Sequence, residues 1–246
     1  MSSEVPPDGP DSRFEFSYRV PTPSPPGAVP LTAEEAEKAL LKEIQKGIET
    51  GNPVPPMWEL ANLYKVTGQV EKAGKLVQDL LSRVTDLEQR AYLIMSLGQI
   101  AERAKDFELA VRFYREAIGM EPCDPFKWYF IHNNLGYSLN QLGRFAEGEF
   151  YCRRAIEISP QPPNAHKNLG LALQGQEKYA DAARCFVNAT QANASDARAT
   201  WHLEQLLAEH PQLRFEFGPL LESCKQAVQI ARQQVEKALK DPPSAQ

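Results

Sequence analysis

Tyr129-Phe130-Ile131-His132-Asn133-Asn134-Leu135-Gly136-Tyr137 opens a stretch that continues through Gly143 and ends at Ser159-Pro160, and its pattern decides the fold. With Leu135 as origin, small residues follow at Gly136 and Gly148, a turn glycine at Gly143, and then Cys152, Ala155 and Pro160. The same offsets recur from Leu97-Gly98, with Ala110, Tyr114, Ala117 and Pro122, and from Leu169-Gly170, with Ala182, Phe186, Ala189 and Ala194. A weaker copy starts at Leu60-Ala61, with Tyr64, Gly68, Ala73, Val77 and Leu80. The origins lie 37, 38 and 34 residues apart, so the unit is about 34 residues with short insertions before two copies.

These units resemble the tetratricopeptide repeat, whose pattern is an LG pair, an alanine, an aromatic, a second alanine and a terminal proline. The resemblance covers residues 54 to about 210. It implies an all-α fold, a right-handed solenoid of antiparallel helix pairs, and a protein-binding function of a broad kind. Turn glycines and apolar spacing predict the pairs at about 55–67 with 70–84, 87–103 with 106–120, 126–141 with 144–158, and 163–175 with 178–192. A fifth first helix, about 196–210, keeps Leu203 at the spacing of 34 from Leu169.

The flanks read differently. Eight prolines in residues 1–30 prevent helix propagation and predict an extended or disordered arm. Within it, residues 13–20 alternate apolar with polar side chains, so Phe14, Phe16 and Tyr18 are expected to dock on the repeats. Thr32-Ala33-Glu34-Glu35 is a capping-box start for an N-terminal capping helix in residues 31–53. After residue 210 an irregular loop over Gln212–Phe217 is expected, with Gly218-Pro219 opening a C-terminal capping helix to about Lys240 and a tail at 241–246. That helix has a seven-residue rhythm, Leu221, Val228, Val235 in one register and Cys224, Ala231, Ala238 in the other. It is expected to cap the fifth repeat helix; a homodimeric coiled coil is the alternative.

A net charge of -5 gives no general attraction to nucleic acid or anionic membrane. The absence of a secretory-type start and of a long apolar run predicts a soluble cytoplasmic protein. Cys123, Cys152, Cys185 and Cys224 form no C-x-x-C pair, so buried thiols are expected and neither a metal nor a redox site. No cofactor is implied. No phosphate-binding glycine loop, G-x-S-x-G or H-E-x-x-H occurs, which argues against an enzyme.

Helical spacing from the origin leucines predicts which side chains of the first helices line a concave groove. The candidates are Trp58 and Asn62; Tyr92, Met95 and Gln99; Phe130, Asn133, Asn134 and Tyr137; Lys167 and Asn168; and Trp201. Such an aromatic and amide lining suits an extended peptide or a helix of a protein partner. His132 and His166, three residues before their origin leucines, are expected to pack, and His202 to face the groove. Some members of the resembled family hold a chaperone's terminal carboxylate with lysines, an arginine and asparagines. Here Phe130, Asn134, Asn164 and Asn168 stand where cations would be needed, so that mode is not expected. The reading is a non-catalytic scaffold or adaptor. The alternatives are a single-stranded RNA binder, which the scarcity of groove cations opposes, and an accessory subunit of an enzyme or secretion assembly.

Overall fold

A computed structural model describes residues 31–122 and 124–240; the arm at 1–30, with the expected docking of Phe14, Phe16 and Tyr18, and the tail at 241–246 lie outside them. The described residues form eleven α-helices and one short 3-10 turn. They are α1 (Ala33–Thr50), α2 (Val54–Val66), α3 (Val70–Arg83), α4 (Leu87–Arg103), α5 (Phe107–Gly119) and α6 (Pro125–Gln141). Then come α7 (Phe145–Ile158), α8 (Pro163–Gln174), α9 (Tyr179–Ala192), α10 (Arg198–Glu209) and α11 (Arg214–Lys240). Every predicted repeat helix is present to within two residues at each end. The chain divides at Lys127/Trp128 into two compact units.

One backbone device recurs in both units. Eight residues after each origin leucine, Gly68, Lys105, Gly143 and Glu177 all take the left-handed conformation. The next residue then donates back across the helix end, in Gln69 N to Tyr64 O, Asp106 N to Ala101 O, Arg144 N to Leu139 O and Lys178 N to Leu173 O, at 2.8–2.9 Å. These are Schellman bonds, which satisfy a helix-terminal carbonyl and reverse the chain into the second helix. Glycine adopts this conformation without steric conflict, whereas Lys105 and Glu177 sit there at a cost of about 1 kcal/mol each. Lys105→Gly is therefore expected to stabilise the protein by about 0.5–1 kcal/mol in urea unfolding, despite removing a helix-friendly side chain. A loss of stability would show that the Lys105 side chain contributes more than its backbone costs.

In the N-terminal unit, α1 begins with the expected capping box: Thr32 Oγ1 accepts from Glu35 N at 3.3 Å and Glu35 Oε2 accepts from Thr32 N at 2.8 Å. Its Leu40 packs on α2, and Glu37 accepts from Tyr64 Oη at 2.7 Å. Leu60, Leu63, Val77, Leu80, Leu93 and Leu97 fill the core between α2, α3 and α4.

In the C-terminal unit, Leu169, Leu173, Phe186, Leu203, Leu206, Phe217 and Leu221 form the core. Glu149 ties α7 to the turn before α9 by accepting from Arg153, Gln176 and Lys178. Burial alone would raise its pKa, but those three donors hold the carboxyl down at about 2. Cys152, Cys185 and Cys224 are buried free thiols, and burial pushes all three upward.

The irregular loop expected before the last helix is corrected. Pro211–Leu213 is a 3-10 turn and α11 starts at Arg214, with Pro219 inside its second turn. Pro219 leaves the Phe215 carbonyl without its helical donor, and Gly218 removes the side-chain conflict a proline imposes on its predecessor. Leu221, Cys224 and Val228 are buried, and α11 packs on α9 and α10 as a cap. Beyond them the same heptad register is uncovered, with Val235 52% exposed.

Candidate functional site

The first helices of the pairs, α2, α4, α6 and α8, together with α10, carry all the expected groove residues, and the two units present them differently. In the N-terminal unit, Trp58 and Tyr92 bring their rings to 4.9 Å with an interplanar angle of 53°. They wall an apolar cleft of about 380 Å³ together with Val54, Pro55 and Val84, and Asp124 and Lys127 stand at its rim. Lys127 donates to Glu88 at 2.8 Å and to Asp124 at 3.2 Å, and its ammonium lies 5.9 Å from the Tyr92 ring centre. Burial raises the Tyr92 phenol above its ordinary range, so it stays protonated.

Beside the cleft, Lys65 is almost fully buried. Its Nζ donates to Gln99 Oε1 at 3.0 Å and lies 5.9 Å from the Trp58 ring centre. Burial lowers its pKa from 10.5 to about 8.

In the C-terminal unit, the inner helices are joined through amides. Asn140 Nδ2 donates to Asn168 O at 2.8 Å, Asn168 Nδ2 to Asn133 Oδ1 at 3.0 Å, and Asn133 Nδ2 to Asn134 Oδ1 at 3.0 Å. The Oδ1 atoms of Asn164 and Asn168 are buried and accept no hydrogen bond. A second cleft, about 480 Å³, is bounded by Asn140, Phe145, Leu171, Trp201, His202 and Gln205. Trp201 is 39% exposed there, set edge-on to His202, which stacks on Phe186 at 5.3 Å.

Of the expected lining residues, Trp58 and Tyr92 meet in the first cleft and Trp201 lies in the second. Asn62, Gln99 and Asn134 are half-buried and line neither of these two clefts. Met95, Phe130, Asn133, Tyr137, Lys167 and Asn168 are buried. Asn168 pairs with Asn133 and not, as equal spacing would suggest, with Asn134. His132 packs as expected, against Trp128 and Tyr151, with Nδ1 2.8 Å from Trp128 O, and burial lowers its pKa. His166 Nε2 lies 3.0 Å from Pro160 O.

Sequence reading passed over Lys65, Asp124, Lys127 and Phe145. A signal existed for the first: five residues after each origin leucine stands a polar residue, Lys65, Glu102, Asn140 and Gln174, on the same inner helix. Among the described residues no three His, Cys, Asp or Glu side chains gather as a metal site, and no helix is long and apolar enough to cross a membrane.

Comparison with known proteins bears on the fold. Solved structures similar to this chain include BtubC (BKLC) from P. vanneervenii, 17% identical over 88% of this chain and 96% of that one, with a TM-score of 0.64. Another is MamA from Desulfovibrio magneticus RS-1, 13% identical over 82% and 98%, TM-score 0.52. Among curated proteins, human tetratricopeptide repeat protein 7B is 26% identical over 68% of this chain and 20% of its own length. The Drosophila melanogaster protein O-mannosyl-transferase Tmtc1 is 28% identical over 50% of this chain and 14% of its own. The chain thus spans about a fifth or less of the length of these two curated relatives. Two family models, each described as tetratricopeptide repeat, match residues 91–122 and 131–162, and residues 167–213. With the turn and packing offsets repeated in four helix pairs, the chain belongs to the tetratricopeptide-repeat family.

Proposed function

We propose that this protein is a non-catalytic scaffold that holds a segment of a protein partner, extended or helical, on its inner helices. The observation that carries this reading is the pair of buried, unsatisfied carbonyl oxygens on Asn164 and Asn168, one helical turn apart on α8. An unsatisfied buried acceptor costs about 1–3 kcal/mol, and the N–H donor of a partner that displaces the side chains covering it would relieve it. Each unit adds a cleft with an aromatic wall, Trp58 with Tyr92 in one and Trp201 in the other, of the size that takes an apolar side chain.

Tmtc1 is named as a transferase, but the similarity reaches half of this chain and only 14% of that protein. Lys127 at the first cleft is engaged by two carboxylates and Lys65 is buried, an arrangement that suits peptide better than phosphate.

The test is selection of binders from a displayed library of random peptides, followed by affinity measurement on variants. Asn164→Ala with Asn168→Ala, and separately Trp201→Ala, are expected to weaken selected peptides at least about tenfold while the helical circular dichroism stays unchanged. Equal affinity in all variants, or a shift of single-stranded RNA at low salt with no peptide selected, would refute the reading.

A further inference from the structure

We propose that residues 13–20 of this same chain occupy the apolar cleft walled by Trp58 and Tyr92 in the N-terminal unit. These residues, outside the described part of the chain, read Arg-Phe-Glu-Phe-Ser-Tyr-Arg-Val. Their alternation puts Phe14, Phe16 and Tyr18 on one side of an extended segment and Glu15, Ser17 and Arg19 on the other.

Three features of the cleft match that segment. Its volume, about 380 Å³, lies in the range of sites that bury a compact apolar group. The 53° inclination of the Trp58 and Tyr92 rings leaves ring edges and faces for a third aromatic, in the tilted geometry such rings prefer. Glu88, Asp124 and Lys127 make the rim net negative by one charge, whereas Arg13, Glu15 and Arg19 make the segment net positive by one.

The tether is long enough. From Leu31 to Glu37 along α1 is about 9 Å, and from Tyr64 back to Trp58 along α2 is about 9 Å. Glu37 and Tyr64 are hydrogen-bonded, so those two paths join across one helix-to-helix spacing of about 10 Å. The thirteen residues from Tyr18 to Leu31 reach about 40 Å even in the proline-rich extended form. A segment attached this closely acts at an effective concentration of about millimolar, which an external peptide must exceed. The proposal is independent of the unsatisfied amides on α8.

The experiment uses the full chain and hydrogen exchange read by mass spectrometry. Phe14→Ser, Phe16→Ser and Tyr18→Ser together are expected to speed exchange about fivefold or more in peptides carrying Trp58 and Tyr92. Trp58→Ala is expected to speed exchange in residues 13–20 by a similar factor. The triple variant leaves every described residue intact, so a folding defect cannot imitate the result. Identical exchange in the triple variant and the unaltered chain would overturn the proposal. So would protection that is lost on dilution, which assigns the cleft to the arm of a second copy.

Discussion

Replacing Phe186 by alanine is expected to lower stability by about 3–5 kcal/mol, the largest single effect in the C-terminal unit. Phe186 is wholly buried on α9, and its ring fills the space over Gly170 of α8 while stacking on His202 of α10. A Cβ built on Gly170 would lie 2.5 Å from Phe186 Cε1, and one on Gly98 would lie 2.5 Å from Tyr114 Cε1. The LG glycine of each repeat is therefore a packing residue: it makes room for the side chain sixteen positions later. Where that side chain is only Val77, the first repeat carries Ala61. Gly170→Ala alone is expected to destabilise by about 1–3 kcal/mol through overpacking. Gly170→Ala with Phe186→Val should recover part of the combined loss, because it rebuilds the Ala61 and Val77 pairing. Chemical denaturation of the four proteins gives the coupling energy, and strict additivity would contradict direct contact between the two positions.

That pairing explains why the fold was legible. Leu-Gly, the aromatic and the alanines recur because each fits one contact between neighbouring helices, so the offsets carry three-dimensional information without any alignment. Gly68 and Gly143 marked two helix ends, yet Lys105 and Glu177 close theirs in the same left-handed conformation with no glycine to announce it. Gly218-Pro219 misled for the opposite reason. A breaker pair was read as a boundary, whereas α11 runs through Pro219 in its second turn at the cost of one helical hydrogen bond, to the Phe215 carbonyl.

The site was less legible. Helical spacing finds which face of α6 or α8 points inward, but not the relative axial shift of two helices, and that shift decides that Asn168 meets Asn133 rather than Asn134. The rim of the Trp58 cleft is supplied by Asp124 and Lys127, which fall within or beside an insertion between repeats where offsets carry no information.

Lys65 gives the second large effect, and its sign runs against intuition. Lys65 is 5% exposed, its ammonium is bonded to Gln99 and lies beside the Trp58 ring, and burial lowers its pKa to about 8. A shift of that size means that holding the charge in the folded state costs on the order of 3 kcal/mol at neutral pH. Lys65→Met keeps the length and apolar stem, removes the charge, and leaves Gln99 Oε1 without its donor, an offset of about 1 kcal/mol. The variant is expected to be more stable at pH 7 by on the order of 2 kcal/mol. Between pH 8 and 10.5 the unfolded lysine holds a proton that the folded one has released, so stability contributed by this group rises with pH across that window and is flat below it. Urea unfolding at pH 7 and pH 9.5 should therefore show the variant's advantage shrinking at the higher pH. An advantage that is absent at pH 7, or that grows with pH, would show that the amine is solvated. A destabilising cation retained against the wall of a cleft is the pattern expected when function and stability compete. Peptides selected on the Trp58 cleft should accordingly bind Lys65→Met more weakly even though the protein that presents the cleft has become more stable.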